Sequence, residues 1–290
     1  MLDEIHVDIP RARGDKNNYL LGSIGKYNVV IACLPDGHYG TINAGRVLTD
    51  LMRSFTKIWA GFMVGIGGGA PSNRHDIRLG DVVVGTRVMP YELGKIHAGG
   101  EVERTAINKA PDFLLCSLVS KVRAAAEYDQ ESSRISSIVE ERFAAMPRFR
   151  LPDDSDLLFH SVYPHDEDAP TCSMCDRSKL VPRRERDTKE PTIHYGGIGS
   201  GDKVVKDGPS RDKLAKTLGV LCFEMEAAGL MDILPCLPIR GICDYSDSHK
   251  QKGWQRYAAA NAAAYARLLL ETLNGEENQP SGLGAFLYPT

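Results

Sequence analysis

Ile58-Trp-Ala-Gly-Phe-Met-Val-Gly-Ile66, the overlapping glycine run Gly65-Ile-Gly-Gly-Gly69-Ala70 and Asp81-Val-Val-Val-Gly-Thr-Arg-Val88 decide the fold of this 290-residue chain. The two flanks are apolar and rich in β-branched residues, the composition of strands covered on both faces. The glycine run superficially matches a dinucleotide-binding fingerprint, with Ala70 in its last position. That fingerprint must open a helix, whereas Pro71-Ser-Asn-Arg-His-Asp76 leads into another strand. The run therefore reads as a strand-to-strand loop, either a plain tight turn or one whose glycines let backbone approach a ligand closely.

Outward from this pair, the chain alternates. Tyr19–Ile24 and Tyr27–Leu34 read as a hairpin through Gly25-Lys26. Thr41–Phe55 carries Ile42, Val47, Leu48 and Leu51 at helical spacing. Pro111–Glu127 and Ser133–Ala145 read as helices. Ile193–Gly199, Val220–Phe223 and Leu237–Cys243 read as short strands, alternating with helices that begin near Ser210, Met225 and Lys252. Such alternation predicts an α/β protein with a mainly parallel sheet covered on both faces. The last helix, roughly Lys252–Leu273, contains Ala258-Ala-Ala-Asn-Ala-Ala-Ala-Tyr265, small enough to lie close to the sheet. One domain over 1–273 is expected, with a Pro-, Asp- and Arg-rich surface insertion at 146–190 and a polar tail or linker at 274–290.

Hydrophobic residues make up 42% of the chain and charged residues 25%, with a net charge of −3. These values suit a globular protein and argue against a nucleic-acid binder. No apolar run approaches a membrane span, and Met1-Leu-Asp-Glu-Ile-His6 has no signal-peptide character. The 7 cysteines lie mostly in apolar runs, the usage of a reduced protein of the cytoplasm.

Chemistry concentrates in Phe223-Glu-Met-Glu-Ala-Ala228 and in Arg240-Gly-Ile-Cys-Asp-Tyr-Ser-Asp247. Cleaving a purine–ribose bond needs a carboxylate for the vicinal hydroxyls, a protonated carboxyl for the leaving base and a soft side chain under the ring. The competing reading makes Glu224 and Glu226 helix-start charges and Asp244 a loop residue. In the insertion, Arg177, Lys179, Arg183, Arg184, Arg186 and Lys189 alternate with acids, as a solvated mixed-charge loop or as a set of phosphate-binding cations. His160-x4-His165-x6-Cys172-x2-Cys175 has ligands suited to structural zinc, although two nearby histidines readily arise by accident. Both readings stay open. No helix signal starts within Cys172–Cys175, which argues against a thioredoxin-like redox role.

Val64-Gly-Ile-Gly-Gly-Gly69, Leu79-Gly-Asp-Val-Val83, Ser200-Gly-Asp202, Phe223-Glu-Met-Glu-Ala227 and Arg240-Gly-Ile-Cys-Asp244 occur in one order in one chain. That set resembles the purine nucleoside phosphorylase/uridine phosphorylase superfamily from about Leu2 to Leu273. Within the superfamily it is most similar to fungal nucleosidase-like domains of receptor-like proteins and to methylthioadenosine/S-adenosylhomocysteine nucleosidases. The resemblance implies a three-layer α/β/α fold around a mostly parallel mixed sheet. It implies that Glu226 binds the ribose 2′ and 3′ hydroxyls, Met225 packs against the sugar and Asp244 serves the purine N7. Gly67 and Gly68 would lie against substrate. Val204 and Val205 fall at base contacts, and His38 and Tyr39 near the nucleoside's 5′ end. Asp244 must then be protonated in a dry pocket, while Glu226 stays ionised. No cofactor and no active-site metal are implied.

Departures from the pattern refine this. Phosphorylases of the superfamily bind phosphate with an Arg-x-Gly-Ser arrangement, and this chain has Met63-Val-Gly-Ile66 instead. A buried phosphate there would lack its charge-assisted bonds, so hydrolysis by water is expected. The family's first strand, followed by its water-activating glutamate, has no counterpart before Met1-Leu-Asp-Glu4. The expected function is therefore a purine nucleosidase acting on a nucleoside or nucleotide such as ATP. The alternatives are a catalytically weak nucleoside-binding sensor and a phosphate-dependent phosphorylase. The resemblance also implies a homo-oligomer.

Overall fold

The computed structural model describes residues 1–99, 102–129, 134–166, 168–250, 252–273 and 283–288. The expected hairpin forms from Tyr19–Ile24 (β2) and Tyr27–Cys33 (β3), and a two-residue strand, Glu4–Ile5 (β1), pairs with β2. Gly25 takes φ 57° in the turn, a conformation that costs glycine little. Helix α1 (Thr41–Ser54) follows, then β4 (Ile58–Gly69) and β5 (Val82–Pro90).

The glycine run is not a loop. β4 continues through it to Gly69, because Gly65 to Gly68 pair in parallel with Arg240 to Asp244, and Gly68 and Gly69 pair antiparallel with Phe223 and Cys222. Backbone ladders on both sides hold extended a segment that its composition marks as a turn.

The remaining strands are Ile193–Ser200 (β8), Val220–Glu224 (β9) and Leu237–Asp244 (β10), with a small hairpin of Gly94–Ile96 (β6) and Val102–Arg104 (β7) apart from the main sheet. The main sheet has the order β1-β2-β3-β11-β4-β10-β5-β8-β9, where β11 is Leu283–Tyr288. β3, β11, β4 and β10 run parallel, as do β5, β8 and β9, with an antiparallel junction between β10 and β5. The extra β4–β9 pairing curls the carboxyl end of β4 back toward β9.

β11 corrects the expected tail. Leu283 to Tyr288 pair with Asn28 to Cys33 on one side, and Leu283 to Leu287 with Ile58 to Met63 on the other. An apolar hexapeptide with a free ladder on each side pairs with both, since β3 and β4 would otherwise face each other across unpaired backbone groups. The polar stretch 274–282 lies outside the described residues.

Helices α2 (Phe113–Asp129), α3 (Arg134–Arg142) and α6 (Gln255–Leu273) share one apolar cluster with Val29, Phe62 and Val64. Helix α1 and the short α5 (Ala227–Leu230) share another with Val30, Ala32 and Met63. Alternate residues of β3 and β4 thus feed opposite faces, as a strand's period of two requires. The alanines of α6 work as expected, because a Cβ on Gly241 of β10 would run into the backbone of Ala258. Helix α4 (Gly208–Leu218) covers β8 and β9, capped by Asp207.

Between α3 and β8 the described residues form short single turns, at Pro147–Phe149, Cys172–Met174 and Arg177–Lys179, and one isolated bridge between Phe159 and Leu180. Of the six cations that alternate with acids here, Arg177, Lys179, Arg184 and Lys189 are exposed, as a solvated mixed-charge loop predicts, whereas Arg183 and Arg186 are tied down. Arg186 donates to both oxygens of the buried Asp81, at 2.6 and 2.7 Å, and Arg183 donates to Tyr245 Oη at 2.8 Å and bridges Asp156 at 2.9 Å. Asp81 also accepts from the N–H groups of Arg78 and Thr192 and from His194. Burial alone would raise the Asp81 carboxyl, but the hydrogen bonds from Arg186 and His194 outweigh it and hold it below the ordinary range. The insertion is therefore fastened to the sheet by ion pairs.

Candidate functional site

The carboxyl ends of β4, β9 and β10 meet, and the residues singled out from the sequence gather there. Glu224 ends β9 with its side chain turned inward. It accepts the N–H groups of Glu226 and Ala227 at 3.0 Å each, satisfying the start of α5, and receives Arg240 Nη2 at 2.7 Å. Its role is to hold the turn, as its place at the helix start implies.

Arg240 is fully buried on β10. Its Nη2 also lies 3.6 Å from Glu226, while its Nε and Nη1 have no hydrogen-bond partner among the described residues. Two carboxylates thus compete for one guanidinium edge. Burial first, and the neighbouring Glu224 second, push Glu226 up to about 7 against the opposing charge of Arg240. The ionised form expected with substrate bound is thus one that burial opposes and that hydrogen bonds to the carboxylate must favour. The N–H of Gly40 also favours the ionised form, which sets the loop before α1 near the carboxyl.

Asp244, the last residue of β10, is not alone in an apolar pocket. Its Oδ1 accepts the N–H of Ser246 at 2.8 Å, and its Oδ2 is ion-paired with Lys250 at 3.0 Å. Ser246 has φ 52°, the one positive value at a non-glycine among the described residues. Such backbone is costly and persists where the surroundings over-determine it.

Gly67 and Gly68 join the two halves. A Cβ on Gly67 would lie 3.0 Å from the Phe223 carbonyl and 3.4 Å from Arg240 Cβ. One on Gly68 would run into Ser246 Oγ and stand 2.7 Å from Asp244 Oδ1. Glycine is required at Gly68 because two site side chains press directly on its backbone. Met225 is partly buried between the two glutamates.

The outer residues are less gathered. Val205 packs with Tyr91, Phe223 and Met89, but Val204 is half exposed. His38 and Tyr39 are exposed, and it is Gly40, two residues on from His38, that reaches Glu226. Several contributors were missed in the sequence. Ser200 Oγ accepts the N–H of Ala228 at 2.9 Å, and Asp202 caps α1 by accepting from Thr41 N at 2.7 Å and Thr41 Oγ1 at 3.0 Å. Ser200-Gly-Asp202 was visible as a motif, but its long-range partners were not. Lys250 carried no signal.

A family model described as Phosphorylase superfamily matches residues 2–274. The chain belongs to the phosphorylase superfamily. It is 42% identical over its whole length to a nucleotide-binding leucine-rich repeat (NLR)-like protein of Hyaloscypha variabilis, of which it spans 29%. A stretch covering 29% of the chain is 31% identical to 35% of a 5′-methylthioadenosine/S-adenosylhomocysteine nucleosidase of Mycobacterium bovis. Among solved structures, this phosphorylase-superfamily chain is similar in fold to the Neisseria meningitidis nucleosidase of the same name, in complex with methylthio-immucillin-A. That likeness has a TM-score of 0.58 and 18% identity, covering 94% of this chain and 91% of the other. It is also similar to a futalosine hydrolase of Helicobacter pylori, with a TM-score of 0.54 and 14% identity, covering 93% and 88%. No described helix of the superfamily chain is long and apolar enough to cross a membrane.

Proposed function

We propose that this chain is a purine nucleosidase, hydrolysing the N-glycosidic bond of a purine nucleoside. One observation carries the reading. Adjacent residues of β4, Gly67 and Gly68, touch the Arg240–Glu226 cluster and Asp244 respectively. One carboxyl, Asp244, thus lies against this strip of bare backbone, and the other, Glu226, is linked to it through Arg240, a division that suits separate sugar recognition and leaving-group protonation.

In this mechanism the ribose hydroxyls donate to Glu226, and binding selects its ionised form, whose charge favours the oxocarbenium-like sugar as the bond breaks. Met225 packs beneath the ring. Asp244 delivers a proton to the departing purine, which requires that Lys250 release its hold. Water is the nucleophile, since Met63 is buried in an apolar cluster and Ile66 offers no hydroxyl for a phosphate dianion. Its surplus proton passes to solvent as Asp244 takes one up again. A nucleoside is favoured over a nucleotide because Arg183 and Arg186 are engaged by Asp156 and Asp81. A homo-oligomer of a cytoplasmic protein remains part of the reading.

A second reading, a nucleoside-binding sensor without turnover, is favoured by the Lys250–Asp244 ion pair, which occupies the acid in the empty site. Incubation with adenosine, inosine, guanosine, methylthioadenosine and ATP, with and without phosphate, separates the possibilities. Free ribose or a 5′-substituted ribose is expected. Ribose 1-phosphate formed only with phosphate would overturn the hydrolytic reading, and tight binding without product would favour the sensor.

A further inference from the structure

Three potential metal ligands of the insertion converge away from the glutamates. One ligand atom each from His165, Cys172 and Cys175 lie within 4.8 Å of one another. Cys172 is buried, and neither cysteine is in a disulfide. The fourth residue of the spacing pattern, His160, is exposed and outside the group. A different imidazole, also outside that group of three, stands beside His165. His249 is 7% exposed, its ring centroid is 5.3 Å from that of His165 and nearly perpendicular to it, and its Nε2 is buried with no hydrogen-bond partner among the described residues.

We infer that His165, Cys172, Cys175 and His249 form a structural zinc site that clasps the insertion to the loop after Asp244. Bonds of about 2.0–2.1 Å to imidazole and about 2.3 Å to thiolate put tetrahedral ligands roughly 3.5–4 Å apart. The three gathered atoms need only a modest contraction to reach that spacing. Two thiolates with two imidazoles suit Zn²⁺ better than the hard, oxygen-seeking cations. The described residues of the segment form single turns and one isolated bridge and bury few apolar side chains of their own, the circumstance in which a metal supplements apolar burial. An orphaned, buried imidazole nitrogen is otherwise costly and here has an occupant.

The clasp joins two parts that already touch. His165 N–H donates to Ser248 Oγ at 2.9 Å, and Phe159 and Tyr163 stack on the His249 ring with centroids at 4.2 and 5.4 Å. His249 immediately precedes Lys250, the partner of Asp244. The metal would thus fix the backbone from which Lys250 reaches the acid, without touching substrate. This inference does not depend on which reaction the site performs.

The test uses the wild-type chain, purified without chelator and then dialysed with or without a strong chelator. About one equivalent of zinc is expected by mass spectrometry of the metal. Cobalt reconstitution should give the intense visible bands of a tetrahedral thiolate site. Zinc should protect Cys172 and Cys175 from alkylation, while the exposed Cys33 reacts equally in both states. The melting midpoint should fall by roughly 5–10 °C on chelation and return with zinc. Cys172→Ser with Cys175→Ser should abolish the cobalt bands, and His249→Ala should change their pattern. Absence of stoichiometric metal after anaerobic zinc loading, a Cys172–Cys175 disulfide, or metal retained by the double variant would overturn the site. Unchanged bands in His249→Ala would overturn its assignment as fourth ligand.

Discussion

Lys250 Nζ lies 3.0 Å from Asp244 Oδ2, so the carboxyl assigned to the leaving purine is ion-paired before any substrate arrives. The acid must leave that pair before it can serve the base. Lys250→Met should therefore raise kcat by roughly fivefold, the equivalent of the ~1 kcal/mol that a partly exposed pair contributes. Steady-state kinetics of the variant beside the wild type decide the matter. An unchanged kcat would show that Lys250 leaves Asp244 before the rate-limiting step.

Glu226 offers a pH dependence. Its folded value of about 7 exceeds the ordinary 4.5. The sign follows: the stability this group contributes is full below pH 4.5 and is lost as pH rises through about 7. Glu226→Gln should remove that loss, gaining on the order of 2–3 kcal/mol relative to wild type at pH 8. Denaturant titrations at pH 5 and pH 8 measure it. Nucleoside affinity should run the other way, tightening as pH rises toward 7 and the carboxylate forms. Calorimetric binding that is flat from pH 5.5 to 8 would contradict the role given to Glu226.

Gly68→Ala places a methyl group against Ser246 Oγ and Asp244 Oδ1. The loop carrying those residues must shift, and a displacement of about 1 Å in a site can cost on the order of a hundredfold in rate. The expected result is at least that loss in kcat/KM, with a folded protein by circular dichroism. Gly37→Ala is a suitable comparison, because a Cβ there meets nothing within 4 Å and only its φ of 73° is strained. It should cost about 1 kcal/mol of stability and leave the kinetics near wild type.

Asp81 supports five hydrogen bonds from Arg78, Thr192, His194 and Arg186. Asp81→Asn would leave Arg186 uncompensated and should cost about 3–5 kcal/mol. Because Asp81 titrates below its usual range, its contribution is present above pH 3.8 and lost as pH falls through the lower folded value. The variant should show a shallower acid unfolding transition, read by fluorescence.

Much of this was legible without coordinates, and the reasons are local. Val82-Val-Val84 and Phe62-Met-Val64 could only be buried strands. The alanines of α6 announced close packing, and Glu-Met-Glu with Asp244 announced a pair of carboxyl groups. Each of these rests on residue type and period, which neighbours in sequence carry together.

What the sequence by itself determined is the α/β class, the superfamily and the chemistry available at its site. Only the tertiary structure decided that the glycine run is strand, that Leu283–Tyr288 lies between β3 and β4, and that Arg186 belongs to Asp81. It alone paired Lys250 with Asp244, gathered His165 with Cys172 and Cys175 while leaving His160 outside, and set His249 beside His165. The physical reason is common to all of these. A backbone ladder or a buried ion pair is satisfied by whichever complementary group the fold brings within about 3 Å, and separation along the chain gives no indication of which group that will be.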